Sequence, residues 1–185
     1  MGVRLGGWEM CIRTTLPAIP VILGAFAPQT SARQFYGAFP ADEALSRSLN
    51  VPAVFLLKEY GIPEFHARLR ELGLTTITKS PDHYGLSLIL GGAEARLTEV
   101  VAAYSAMAAS LRPGPRAQEG VFAHRDLSVW YTLEALKEVN RPDQLDWRLI
   151  RSVRRAAWKT GTSYGFRDAW AVGMTPEYTI GVWAG

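Results

Sequence analysis

The feature that most constrains this chain is a change of hydrophobic period at about residue 155. Before that point, apolar residues recur mostly at helical spacing between Gly and Pro breaks. After it come "RRAAWKTGT", "RDAWAVGMT" and "EYTIGVWAG", separated by Ser-Tyr-Gly and Thr-Pro-Glu turns. Short β-prone runs joined by turn residues predict three successive antiparallel strands. Helices followed by a meander pack as helices against an antiparallel sheet, so the predicted class is α/β in the broad sense, α+β in detail. A length of 185 residues with 48% hydrophobic and 20% charged content suits one folded domain with a core.

The helical part divides at its breakers. In "PADEALSRSLNVPAVFLLKEYG" Asp42 is a candidate cap for a helix carrying Ala44 and Leu45. That helix is predicted to stop at Ser48-Leu49-Asn50, because Pro52 disfavours helix at Val51. A second helix then runs from Pro52 to Tyr60 and closes at Gly61. "IPEFHARLRELGL" predicts a third, with Phe65, Leu69 and Leu72 on one face and Gly73 at its end. "HYGLSLILGG" reads as a buried turn or short strand. Leu97 to Leu111 is apolar on most sides, which predicts a helix in the middle of the domain. The final sheet is expected to pack on the helices around Val101. "RPGPRAQEG" is predicted as a loop, and "DLSVWYTLEALKEVN" as an amphipathic helix with Asp126 as candidate cap. Met1 to about Gln34 is predicted as coil or short strands.

Several function classes find no support. Cys11 is the single cysteine, and His66, His83 and His124 stand far apart, so no metal site and no cofactor are expected. "WRLIRSVRR" gathers Arg148, Arg151, Arg154 and Arg155, but a net charge of +3 favours a solvated approach to the next strand over nucleic-acid binding. "LPAIPVILGAFA" ends in Ala25-Phe26-Ala27, yet two prolines interrupt it and Pro28 follows, a poor signal-peptide site. It is also too short to span a bilayer, so no membrane anchor is expected.

Chemistry concentrates in "WKTGTSYGFRDAW". On an edge strand, Gly161 lets an extended ligand lie against the backbone and bond to the main chain. Thr160 and Thr162 offer hydroxyls and Lys159 a positive charge, a set suited to a peptide ending in a carboxylate. Upstream, Ser48-Leu49-Asn50 falls at a helix–helix corner that can face such an edge. A hydroxyl and an amide there could relay a proton and hold a substrate amide.

Lys-Thr-Gly after Ser-x-Asn reproduces two of the three elements of the penicillin-recognising serine acyl enzymes. The wider text, "ADEALSRSLNVPAVFLLKEYG", "LSLILGGAEARLTEVVAAYSAMA" and "AWKTGTSYGFRDAWAVGMTPEYTIGVWAG", resembles the transpeptidase domain of bifunctional class A penicillin-binding proteins. The aromatic flank of KTGT is more specific to one subgroup of that family than KTG itself. The resemblance covers residues 22–185 as a partial transpeptidase domain and leaves 1–21 unassigned. It implies the penicillin-binding α/β sandwich, here incomplete, at the periplasmic face of a bacterial inner membrane. It implies a peptidoglycan stem peptide ending in D-Ala-D-Ala, and β-lactams, as ligands. Carried over, Ser48 would shuttle a proton to the leaving D-Ala and Asn50 would hold the donor peptide. Lys159 would support that network, and Thr160, Gly161 and Thr162 would bind the terminal carboxylate and backbone. The Thr162 N–H would form half of the oxyanion hole.

The sequence departs from the family at the nucleophile. No serine is followed three residues later by lysine; Ser152-Val-Arg-Arg155 has the wrong cation, and Thr76-Ile-Thr-Lys79 the wrong order. The family's serine, its partner lysine, the glycosyltransferase domain and the anchor are therefore expected to be lacking, leaving a transpeptidase fragment inactive alone. The alternative is a non-catalytic module that binds stem peptides or other wall-synthesis proteins. A β-lactamase is disfavoured by the same missing serine and by the neighbouring text.

Overall fold

The computed structural model describes residues 15–19, 37–112, 122, 126–139, 155–163, 165 and 167–185. The first two strands, β1 (Thr15–Ala18) and β2 (Gly37–Pro40), form an antiparallel pair with Leu16 opposite Phe39. β1 thus lies upstream of the residue-22 limit of the resemblance, yet it packs with β2 and the first helices. Leu16, Ala18 and Phe39 bury one face of this pair against Ala44, with Leu49 and Leu56 at the margin.

Helix α1 (Ala41–Ser46) comes directly after β2, then α2 (Asn50–Tyr60). Asp42 does not cap α1; Pro40 holds that position, and Asp42 lies inside the first turn, accepting from the Glu43 N–H at 2.9 Å. α2 begins two residues before the predicted start. Pro52 sits in its first turn, where a missing N–H costs no helical bond, and fully buried Val51 is held helical by packing despite the following proline. Gly61 (φ 103°) then ends α2 and opens α3 (Ile62–Glu71). The buried residue of α3 is His66, not the predicted apolar trio, which is half-buried. The His66 Nε2–H donates to the Lys79 carbonyl at 2.9 Å and its ring lies 5.9 Å from that of Tyr84. This histidine packs against Lys79 and Tyr84.

"HYGLSLILGG" is helical from His83 to Leu90, with α4 (Pro81–Tyr84) leading into a 3-10 turn (Gly85–Leu90). Of the two readings, turn or strand, the structure has the turn: Leu88 alone is buried within it, and Ser87 bonds back to the Tyr84 carbonyl at 2.6 Å. Helix α5 (Leu97–Ser110) is not buried all round; Ala102, Ala106 and Ala109 are exposed, and Ser110 is its one buried residue. Its other face carries Tyr104, Met107 and Ala108 onto the core, and nothing among the described residues covers the alanine face.

Helix α6 (Asp126–Lys137) supplies Val129, Leu133 and Leu136, spaced as one helical face, to the main core. Beneath it lies the predicted meander: β3 (Ala157–Thr162), β4 (Ala169–Met174) and β5 (Thr179–Ala184), antiparallel in that order. Ala157 and Met174 close this core from the sheet side. α5 crosses β5 so closely that a Cβ on Gly181 would collide with Val101, which fulfils the expected packing around that residue. The loop at 113–121, most of "WRLIRSVRR", His124, Cys11, the Asp126 side chain and the apolar run beyond residue 19 lie outside the described residues. Mixed helices over an antiparallel sheet are the predicted class.

Candidate active site

The site begins with how α1 stops. The Leu49 N–H bonds to the Ala44 carbonyl at 2.9 Å and the Ser48 N–H to the Leu45 carbonyl at 3.0 Å. These are the two bonds of a Schellman motif, and the Leu49 side chain against Ala44 completes it. The position between them requires left-handed backbone and is ordinarily glycine. Here it is Ser48, with φ 56°, the one non-glycine residue at positive φ among those described. A side chain in that conformation costs roughly 1–2 kcal/mol. Arg47 braces the corner from outside, its guanidinium 5.1 Å from the centre of the Phe39 ring.

Two packing relays bring this corner to the sheet. Ala44 of α1 belongs to the small core beneath β1 and β2, while Leu45 reaches the main core beneath α6. α6 in turn packs on β3. The Ser48 hydroxyl consequently meets the Lys159 ammonium, which donates to it across 111 residues of chain. Lys159 also donates to the Thr160 carbonyl at 2.7 Å. Loss of water around Lys159 lowers its pKa from the ordinary lysine range. An ammonium so biased gives up a proton more readily than a surface lysine, and a serine hydroxyl in contact with it is a ready proton partner.

Beyond Lys159, β3 is open. Among the described residues it pairs only with β4, and Thr160, Gly161 and Thr162 are exposed along the free edge. Gly161 has ordinary extended backbone, and a Cβ there would meet only the Trp170 Cβ, at 3.7 Å. Packing among the described residues does not demand this glycine. Asn50 opens α2 two residues beyond Ser48, on the same corner. All six residues singled out in the sequence therefore lie on the α1–α2 corner or on β3, and contact between the two parts runs through Ser48 and Lys159.

Sequence reasoning missed three neighbours. Trp170 stands opposite Gly161, and Trp183 opposite Trp170. Asp168 accepts from the Trp183 indole N–H at 3.1 Å. Their aromatic flank was visible as text, but only strand register puts them in one row. Among the described residues no cluster of His, Cys, Asp or Glu could hold a metal, and no helix is long and apolar enough to cross a membrane.

No family model matches the chain. It is 39% identical to penicillin-binding protein 1C of Escherichia coli (strain K12) over 176 residues, 92% of this chain and 23% of that protein. It is 28% identical to penicillin-binding protein 1B of Vibrio cholerae, over 94% of this chain and 25% of that protein. The chain thus spans about a quarter of the length of these relatives. Its fold is similar to that of the penicillin-binding protein PonA1 from Mycobacterium tuberculosis, with a TM-score of 0.72 at 18% identity, covering 93% of this chain and 54% of that one. A second structure of PonA1, in complex with penicillin V, aligns with a TM-score of 0.70 at 18% identity, covering 91% and 53%.

Proposed function

This chain is a relative of the penicillin-binding proteins, and on that premise we propose that it is the substrate-cradling part of a peptidoglycan D,D-transpeptidase domain. The observation that carries the reading is the Ser48–Lys159 contact beside an open strand edge that leaves Gly161 clear. The cradle would take a stem peptide ending in D-Ala-D-Ala, or a β-lactam, as an added strand along β3. Asn50 would hold the donor amide, and Thr160 and Thr162 the terminal carboxylate. Ser48, in contact with Lys159, would pass a proton to the leaving D-Ala. The Thr162 N–H would be half of the oxyanion hole, a donor whose loss typically costs about a hundredfold or more in rate. Residues 22–185 would form this partial domain, working on the cell wall at the periplasmic face of the inner membrane.

The chemistry itself needs a serine activated by a lysine three residues on, and this sequence has none. That observation favours a second reading of the same cradle, in which the chain binds stem peptides without being acylated. Titration with a peptide ending in D-Ala-D-Ala, against its L-Ala isomer, tests the cradle. Stereospecific saturation supports it, and Gly161→Ala should weaken binding at least tenfold while stability stays within about 0.5 kcal/mol. Equal response to both isomers would discard the cradle. Mass spectrometry after labelled penicillin separates the two readings: no covalent adduct supports the binding module, and a penicilloyl adduct overturns it.

A further inference from the structure

The register of the meander puts Gly161, Trp170 and Trp183 in one row across β3, β4 and β5. Side chains alternate along each strand, so this row shares a face with Lys159. The Trp170 and Trp183 ring centres are 6.4 Å apart with planes 57° to each other. They are tilted against each other and not stacked flat. Trp183 is 48% exposed. Its N–H is tied to Asp168 Oδ1, and Asp168 is itself fixed: its N–H donates to Ser163 Oγ at 2.8 Å, and the Ser163 N–H to its carbonyl at 2.9 Å.

A cross-strand tryptophan pair alone would stabilise the sheet. An anchored carboxylate at the edge of an exposed indole adds negative potential to two faces that already carry it. That arrangement attracts a cation and repels an anion. The indoles also offer apolar area for a hydrocarbon stem, as amphipathic lysine side chains use. Three N–H donors on an ammonium can reach the Asp168 oxygens while the stem lies on Trp183. We infer that the Trp170–Trp183–Asp168 corner binds a primary alkylammonium group. Arg167, exposed and next to Asp168 in sequence, lowers the affinity for a cation. The corner lies about 7 Å along the strand from Lys159, with Trp183 about 10 Å across the sheet from β3, so both positions can be occupied at once. Ammonium binding at this corner does not depend on the cradle.

The test is an NMR titration of the whole chain with pentylammonium chloride, following the indole N–H signals, with 1-pentanol as the neutral isostere. The expected result is saturable shifts of the Trp170 and Trp183 signals, with pentanol binding at least tenfold more weakly. Trp183→Leu should abolish the response. Asp168→Asn keeps an oxygen for the Trp183 N–H and removes the charge; it should weaken pentylammonium at least threefold and leave pentanol unchanged. An unsaturable response, equal affinity for the alcohol, or an unaltered affinity in Asp168→Asn would overturn the assignment. Binding of the D-Ala-D-Ala peptide in the same variants reports on the cradle separately.

Discussion

A serine in the left-handed region is the clearest local conflict among the described residues, and it sits at the candidate site. The Schellman bonds around Ser48 are those a glycine would make with less strain. What serine adds is a hydroxyl in contact with Lys159. Ser48→Gly should therefore stabilise the fold by about 1 kcal/mol, read as a rise in denaturation midpoint, while binding of a D-Ala-D-Ala peptide weakens. A destabilised Ser48→Gly variant would mean the hydroxyl holds the fold together and the strain argument fails. Lys159 gives a second prediction at this scale. Desolvation lowers its pKa when folded, so between that lowered value and the ordinary 10.5 the unfolded chain binds a proton the folded chain has released. Stability attributable to this residue then rises with pH across the window and is lowest below it. Tyr104 acts in the opposite sense, because burial raises its phenol and stability falls above its ordinary value of 10.0. Comparing wild type with Lys159→Met at pH 8 and pH 10 cancels the tyrosine. The difference should move in favour of the wild type at the higher pH, and a flat difference would refute the desolvation account.

Among the elements, legibility in the sequence depends on how local the determining interaction is. The meander could be read because its turns and its period of two are written within each strand. Helix α2 could be read in type but not in start, since the residue before Pro52 is helical only through its burial in the core. The 85–90 segment reads as turn or strand alike, because a short apolar run carries no period; the structure makes it a 3-10 turn. The alanine-rich α5 looked central because small apolar residues on all sides fit a buried helix, yet its burial depends on which neighbours are present. Site residues on β3 and on the α1–α2 corner could be named from text. Their meeting could not, for it depends on α1 contributing to two cores at once. The Gly161–Trp170–Trp183 row was equally hidden, since register is a property of pairing and each strand alone contains only half of it.

At the scale of the whole molecule, the shared helix makes a claim about cooperativity. The small core of Leu16, Ala18, Phe39 and Ala44 and the main core beneath α6 are separate clusters, joined through neighbouring residues of α1. Six residues of helix have no stability of their own, so α1 is held only while both cores are in place. Loss of either should release α1 and with it the Ser48–Lys159 contact. Leu133→Ala in the main core and Phe39→Ala in the small one are each expected to cost about 2–5 kcal/mol. Both should lower the same single unfolding transition, whether observed by backbone circular dichroism or by tryptophan fluorescence. Of the six tryptophans, Trp158, Trp170 and Trp183 lie in the sheet and Trp130 in α6 above it, so the fluorescence includes the main-core side, whereas Phe39 is in the other core. If Phe39→Ala moved the circular dichroism transition and left the fluorescence transition in place, the cores would unfold independently. The site would then be an encounter between two separately stable bodies. Coincident transitions would instead make the Ser48–Lys159 contact a property of the fold as a unit.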